Sequence, residues 1–289
     1  TARAEHRRVA PPPPPPRWQT LPDAPALPAA DATLDVPVDG ATIHAVSFGH
    51  GPAVVLLHGG CGQGGQFGFL VPALAAHHQV IVVDARGEGQ SGLPAAGLSY
   101  HLMAEDVVAV LDALHVPRAA ALGWSDGAIV ALDLAMHHGD RLTGALAFAA
   151  NLDPSGTRRP PARGLFDRYY ARCNRDAAAL QPDKHRRDAA RSALRAMWKR
   201  EPRYTDDDVR AIAVPVTVVR ADHDELIRPE HAAHIAAVIP GARLVTLHDV
   251  GHFAMFQDPD QFARVALEFL DGAAPAPAPA TQPAPPPHR

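Results

Sequence analysis

Ser125 lies in Gly123-Trp124-Ser125-Asp126-Gly127, directly after the apolar run Ala119 to Leu122 and before a helix-forming stretch. A G-x-S-x-G pentapeptide between a strand and a helix makes a turn too tight for side chains two positions from the serine. Both of those positions are therefore glycine, and the hydroxyl is pushed out above the sheet. The helix beginning at Asp126 aims its free N–H groups and positive dipole end at the same spot, which favours an oxyanion forming there. A serine hydroxyl is a poor nucleophile at neutral pH unless a base takes its proton, and that base needs a carboxylate to orient it. Asp222 and Asp224 both follow the run ending at Arg220, and His252 stands in Asp249-Val250-Gly251-His252-Phe253 just beyond the run ending at Leu247. Such groups belong on loops at the carboxyl ends of parallel strands, and Ser, Asp, His is the chain order this elbow architecture uses. The chemistry within reach is acyl transfer. The competing reading of the pentapeptide alone is a glycine-rich turn.

A second motif points to different chemistry. Gly60-Cys61-Gly62-Gln63-Gly64-Gly65 satisfies G-x-G-x-x-G between a strand and a helix, with Asp84 ending the next strand 24 residues on. This imitates a dinucleotide fingerprint. A hairpin precedes the supposed first strand, however, and NAD binding leaves the placement of the serine, aspartates and histidine unexplained, so no cofactor is expected. His231 and His234 are three apart on a helix, but no third ligand follows them, and no metal is expected. His77, His78, His137 and His138 fall at helix ends, where polar residues are common. With only Cys61 and Cys173 present, at most one disulfide can form.

The elements that must position these groups begin near Ala32. Leu34 to Val38 and Thr42 to Phe48 alternate around Asp39-Gly40, a two-residue hairpin signal. Ala53 to Leu57 reads as a strand buried on both faces. There follow a helix (67–77), a strand (80–83), a helix (102–114), the strand before the elbow, its helix to His138, and a strand (142–149). After residue 212 come a strand (214–220), a helix (229–238), a strand (243–247), and a helix (259–270) capped by Asp258. The fold class is α/β: a mostly parallel central sheet with an N-terminal hairpin and helices on both faces. From 151 to 212 the alternation lapses. Phe166, Tyr169, Tyr170 and Cys173 recur at helical spacing and 189–198 is amphipathic, which predicts a small helical cap over the edge where Ser125 emerges.

At 289 residues with 47% hydrophobic and 20% charged content, the chain suits one large core assembled from 32–150 and 213–271. Residues 1–31, with the run Pro11 to Pro16, and the Ala-Pro stretch 272–289 read as solvated tails. No apolar run is long enough to span a membrane. The start at Thr1 fits either removal of a leader or a trimmed chain, so the compartment, cytoplasmic or secreted, is left open. The formal charge of −4 divides into +9 over residues 157–203 and −13 elsewhere. The basic residues are scattered rather than blocked, so solvated helix faces are expected rather than a patch that attracts anionic substrates or surfaces, and no nucleic-acid partner is expected.

Taken together, His58-Gly59-Gly60, the segment Asp84 to Ser91, Gly-Trp-Ser-Asp-Gly at 123–127, Ala-Asp-His-Asp at 221–224 and Gly251-His252-Phe253 resemble the α/β-hydrolase family over about residues 32–270. The resemblance implies Ser125 as nucleophile, His252 as general base and Asp224 as orienting acid, because in the family's G-D-x-D pattern the second aspartate faces the histidine. Here Ala221 replaces the first glycine. It implies oxyanion donors at the backbone N–H groups of Gly60 and Asp126, with Cys61 as fallback. Trp124, Phe253 and Cys61 are expected to line the substrate pocket, and Asp84 to Ser91 to form a structural turn with Arg86 ion-paired. The substrate class implied is a small-molecule ester. The elbow is similar to that of the valacyclovir hydrolase branch, in which the aspartate beside the serine helps bind a substrate ammonium; an aspartate in a helix's first turn is also stabilising without a ligand. C–C bond or lactone hydrolysis on the same triad is the alternative within the family, and a ligand receptor with little turnover is the alternative outside enzymology. The oligomeric state is not readable.

Overall fold

Eight strands form one sheet in a computed structural model that describes residues 13–93 and 97–273: β1 (Ala32–Val38), β2 (Ala41–Phe48), β3 (Ala53–Leu57), β4 (Gln79–Val83), β5 (Ala119–Trp124), β6 (Leu142–Phe148), β7 (Val216–Ala221) and β8 (Arg243–Leu247). Their order is β1-β2-β4-β3-β5-β6-β7-β8. The β1–β2 hairpin turns at Gly40, where φ is +69°, and β2 pairs antiparallel with β4; every other pairing is parallel. All six residues of β5 are buried, as a strand covered by helices on both faces requires.

The helices are α1 (Val71–Ala75), α2 (Tyr100–Ala113), α3 (Asp126–His137), α4 (Leu165–Leu180), α5 (Lys184–Trp198), α6 (Asp206–Arg210), α7 (Pro229–Val238), α8 (Ala254–Gln257) and α9 (Pro259–Ala273). α2 packs on α3, α3 on β5 and β6, and α1 on α9. The helix predicted over 67–77 is a 3-10 turn at Gly64–Phe67 followed by the short α1, which Pro72 opens in its first turn. α2 starts two residues earlier than predicted because Ser99 caps it, accepting from the Leu102 N–H at 3.0 Å. The Asp258 side chain accepts from the Gln261 N–H at 3.0 Å, as a cap of α9 should. Between β6 and β7 the alternation gives way to α4, α5 and α6.

The expected tail needs correcting over its described part, residues 13–31. Leu21 is buried, the Trp18 ring stacks on His223 with centroids 3.8 Å apart, and Gln257 Nε2 donates to the carbonyls of Trp18 and Thr20 at 3.2 and 3.0 Å. Arg172 donates to the Pro22 carbonyl at 2.8 Å. A proline-rich strip lacks the N–H groups to join a sheet, yet its carbonyls still accept, and side chains of α4 and α8 satisfy them. At the other end α9 continues to Ala273, two residues into the stretch read as tail. Residues 1–12 and 274–289 lie outside the described residues.

Arg86 is the largest buried cation. Its Nε donates to Asp106 Oδ2 at 2.7 Å, its terminal nitrogens to Asp106 Oδ1 and to the Asp39 carbonyl, tying the loop after β4 to α2 and to the hairpin turn. Burial raises the Asp106 carboxyl above its ordinary range, and the guanidinium offsets part of that rise. Arg86→Met strands this carboxylate without a partner and is expected to cost about 3–5 kcal/mol. Thermal unfolding checks it: Tm should fall by roughly 10 °C, and Arg86→Met with Asp106→Leu should recover part of the loss.

Candidate active site

Ser125 connects β5 to α3 with φ +54° and ψ −119°, a conformation that non-glycine residues adopt at a cost of about 1–3 kcal/mol. What holds it there is close backbone packing. A Cβ on Gly123 would come within 2.0 Å of the Gly127 carbonyl oxygen, and one on Gly127 within 2.1 Å of the Leu57 oxygen. The Ser125 N–H donates to the Phe148 carbonyl at 2.8 Å, fixing the turn to β6.

His252 Nε2 lies 3.1 Å from Ser125 Oγ, and its Nδ1 lies 3.1 Å from both carboxylate oxygens of Asp224. An ionised carboxylate only accepts, so Nδ1 carries the proton and Nε2 presents its lone pair to the serine. Asp224 Oδ1 also accepts from the N–H groups of Leu226 and Ile227, each at 2.8 Å. Asp222 faces away and bonds His248 Nδ1 and the Asp249 N–H, each at 3.3 Å. The imidazole is held from its backbone too: its N–H donates to Glu225 Oε2 at 3.0 Å and its carbonyl accepts from Trp124 Nε1 at 2.9 Å. Burial alone would lower the His252 pKa. The Asp224 carboxylate, helped by Glu225 and Asp126, outweighs burial and raises it above 6.5.

The Cys61 N–H is taken by the Glu88 carboxyl. The N–H groups of Gly60 and Asp126 have no hydrogen-bond acceptor among the described residues, and both residues face the cavity in front of Ser125. His58 holds this strip in place: Nδ1–H donates to the Gly59 carbonyl at 2.8 Å and Nε2 accepts from the Ala85 N–H at 2.9 Å. Burial lowers the His58 pKa, which suits a neutral ring accepting at Nε2.

The cavity, of about 220 Å³, is walled by Trp124 and Phe253, and by Phe166, Tyr169, Tyr170 and Trp198 from the segment between β6 and β7. Cys61 is corrected out of it. The residue lines a separate cleft instead, and burial, first, and Glu88 push its pKa well up. Asp126 does line the cavity. Its carboxylate accepts from Trp198 Nε1 at 2.7 Å and Tyr100 Oη at 2.9 Å, and burial pushes its pKa up to about 6 despite both bonds. Sequence reasoning missed Glu225, Tyr100 and Trp198 as site residues. Trp198 closed the amphipathic run of 189–198, whereas nothing local marks Tyr100, whose role comes from meeting Asp126 across the fold.

The dinucleotide reading finds no geometric support. The Asp84 carboxylate is engaged by the N–H groups of Gly64 and Gln90 at 2.6 and 2.8 Å, and the glycine loop enters a 3-10 turn instead of the long helix whose N-terminus a pyrophosphate needs. His101, Asp133 and His137 form a separate cluster on α2 and α3.

The imidazole geometry sets one expectation. NMR titration of labelled histidine should find His252 titrating above 6.5, and Asp224→Asn, which removes the largest raising influence, should move that midpoint down. An unmoved midpoint would mean the two side chains are not paired in solution.

Against known proteins, the profile of the alpha/beta hydrolase family matches residues 54–265. The pimeloyl-[acyl-carrier protein] methyl ester esterase of Aeromonas hydrophila subsp. hydrophila is 28% identical over 253 residues, covering 77% of this chain and 97% of that protein. The solved structure of Est816, an N-acyl homoserine lactone degrading enzyme, is 30% identical with a TM-score of 0.66, over 82% of this chain and all (100%) of that one. The enol-lactonase of Burkholderia xenovorans, at 22% identity and TM-score 0.68 over 83% of this chain and 100% of that one, shares the fold. The family profile spans most of the chain and includes the elbow, Asp224 and His252, so this protein belongs to the alpha/beta hydrolase family.

Proposed function

We propose that the protein hydrolyses a small-molecule ester through a covalent acyl-enzyme, with Ser125 as nucleophile, His252 as general base, Asp224 as orienting acid, and the N–H groups of Gly60 and Asp126 as oxyanion donors. The observation that carries this reading is the unbroken line from Asp224 through His252 to Ser125, 3.1 Å on each side of the imidazole. Ser125 Oγ attacks the carbonyl carbon as Nε2 takes its proton, and the two N–H groups hold the oxyanion. The alcohol leaves with that proton. Water, deprotonated by the same nitrogen, then attacks the acyl-enzyme and releases the acid, returning the proton to Ser125.

The relatives support the bond class: one is named a methyl ester esterase and another a lactone degrading enzyme. Lactone opening follows the same steps with the leaving alcohol still tethered. Within the esters, Asp126 favours those carrying an α-ammonium. Its carboxylate lines the cavity, forms no ion pair with Lys or Arg among the described residues, and is charged only above about pH 6. A substrate cation would supply the missing charge.

A fluorophosphonate probe should label the protein, and Ser125→Ala should abolish labelling and cut p-nitrophenyl ester hydrolysis by at least about 10⁴-fold. Labelling that survives the substitution overturns the assignment, and labelling without turnover of any ester or lactone points to the receptor reading. The base works unprotonated, so kcat/KM should rise with pH through a midpoint above 6.5, following the raised His252 pKa. For substrate choice, an α-amino ester should be hydrolysed with a higher kcat/KM than its des-amino analogue, and Asp126→Asn, which keeps the backbone N–H, should remove the difference. Equal rates in the unsubstituted enzyme would take Asp126 out of recognition.

A further inference from the structure

The C-terminal end of the elbow helix carries polar groups with no part in the hydrolytic geometry. Asp133 is fully buried on α3, and its Oδ1 lies 2.9 Å from His101 Nδ1 of α2 and 3.1 Å from His137 Nδ1 of α3. The two rings are about half exposed, meet edge to face at 4.7 Å, and their ligand atoms with that of Asp133 all fall within 4.8 Å of one another. Read along the sequence, His137 and His138 were polar residues at a helix end; the partner that changes their meaning is on another helix.

We propose that His101, Asp133 and His137 bind one divalent ion of the zinc class, clamping α2 to α3. A buried carboxylate is costly without a cation, and among the described residues the ion-pairing partners of Asp133 are these two imidazoles alone. Bonds of about 2.0–2.1 Å to a tetrahedral ion put its ligands roughly 3.4 Å apart. Opening the 2.9 and 3.1 Å separations by a few tenths of an ångström reaches that, with the metal replacing the two Nδ1 protons. Two nitrogens and one oxygen suit Zn²⁺, Ni²⁺ and Cu²⁺ better than Mg²⁺ or Ca²⁺.

The surroundings are those a metal site needs. With Nδ1 on the metal, His101 Nε2–H faces Glu105 Oε1 at 3.6 Å, a carboxylate placed to orient the ring. Asp133 Oδ2 is fixed by Tyr204 Oη at 2.7 Å, leaving Oδ1 for the ion. His138 Nε2 bonds the same Glu105 at 2.7 Å, so it stands beside the site, and water completes the coordination. Lying in the last turns of α3, the cation also meets the negative end of the helix dipole. α3 spans Asp126–His137, so the site is about 16 Å from Ser125. It is a structural site, independent of the reading of the hydrolytic centre.

Untagged, chelator-stripped full-length protein titrated with ZnCl₂ in a calorimeter should bind one equivalent with micromolar or tighter affinity. Co²⁺ in its place should give visible d–d absorption, and saturating Zn²⁺ should raise Tm by roughly 5 °C. His101→Gln with His137→Gln, whose amides still donate to the buried Asp133 carboxylate, should abolish all three responses while circular dichroism and ester hydrolysis without metal stay unchanged. Glu105→Gln, which keeps every ligand, should weaken binding about tenfold. No saturable Zn²⁺ binding in the unsubstituted protein, or one equivalent still bound by the double variant, overturns the proposal.

Discussion

The contact between the Gly127 backbone and the Leu57 carbonyl governs the geometry of this molecule. It brings the start of α3 against the end of β3, leaves no room for a side chain, and forces Ser125 into the left-handed region. Three consequences follow from one close approach: the hydroxyl stands clear of the sheet, the Asp126 N–H faces the space before it, and the strip after β3 that carries Gly60 lies alongside. The strained residue is affordable because β5 and α3 are buried over nearly their whole length, so the turn cannot relax without unpacking both.

Around that turn the electrostatics are set by burial and by carboxylates in opposition. His252 is buried yet its pKa is raised, because Asp224, Glu225 and Asp126 together outweigh desolvation. The same low-dielectric surroundings raise the Asp126 carboxyl to about 6 although two donors hold it, and raise Glu88 and Glu225 as well. Asp224, Glu225 and Asp126 each favour positive charge on this one imidazole. That is the condition under which a histidine accepts a serine proton readily and its protonated form is stabilised.

The segment between β6 and β7 and the N-terminal strip close the site from outside the sheet. Phe166 and Tyr169 pack on His252 and Phe253, with Phe166 5.1 Å from the imidazole by ring centroid, so this segment walls the cavity and packs against one side of the imidazole. Trp198 reaches Asp126 from the far end of α5. Trp18, in the strip before β1, stacks on His223, the residue before Asp224, so even the proline-rich lead-in bears on the loop that carries Asp224.

Local sequence determined the elements whose signals are local. The hairpin at Asp39-Gly40, the buried strands, the elbow with its two glycines, and the cap on α9 were all legible, because turn chemistry, periodicity and capping act over a few residues. The order of the motifs also pointed to Ser125, Asp224 and His252. Tertiary structure decided whatever depended on residues distant in the chain. It turned Asp222 outward, gave the Cys61 N–H to Glu88, paired Arg86 with Asp106, and set Tyr100 and Trp198 on Asp126. It also seated residues 13–31 on the body, since a proline-rich strip is bound through carbonyls that any sequence possesses, and only the donors opposite, on Arg172 and Gln257, show where it rests. Side-chain identity encodes what a residue can do; the company it keeps across the fold is set by packing, and no short-range pattern carries that.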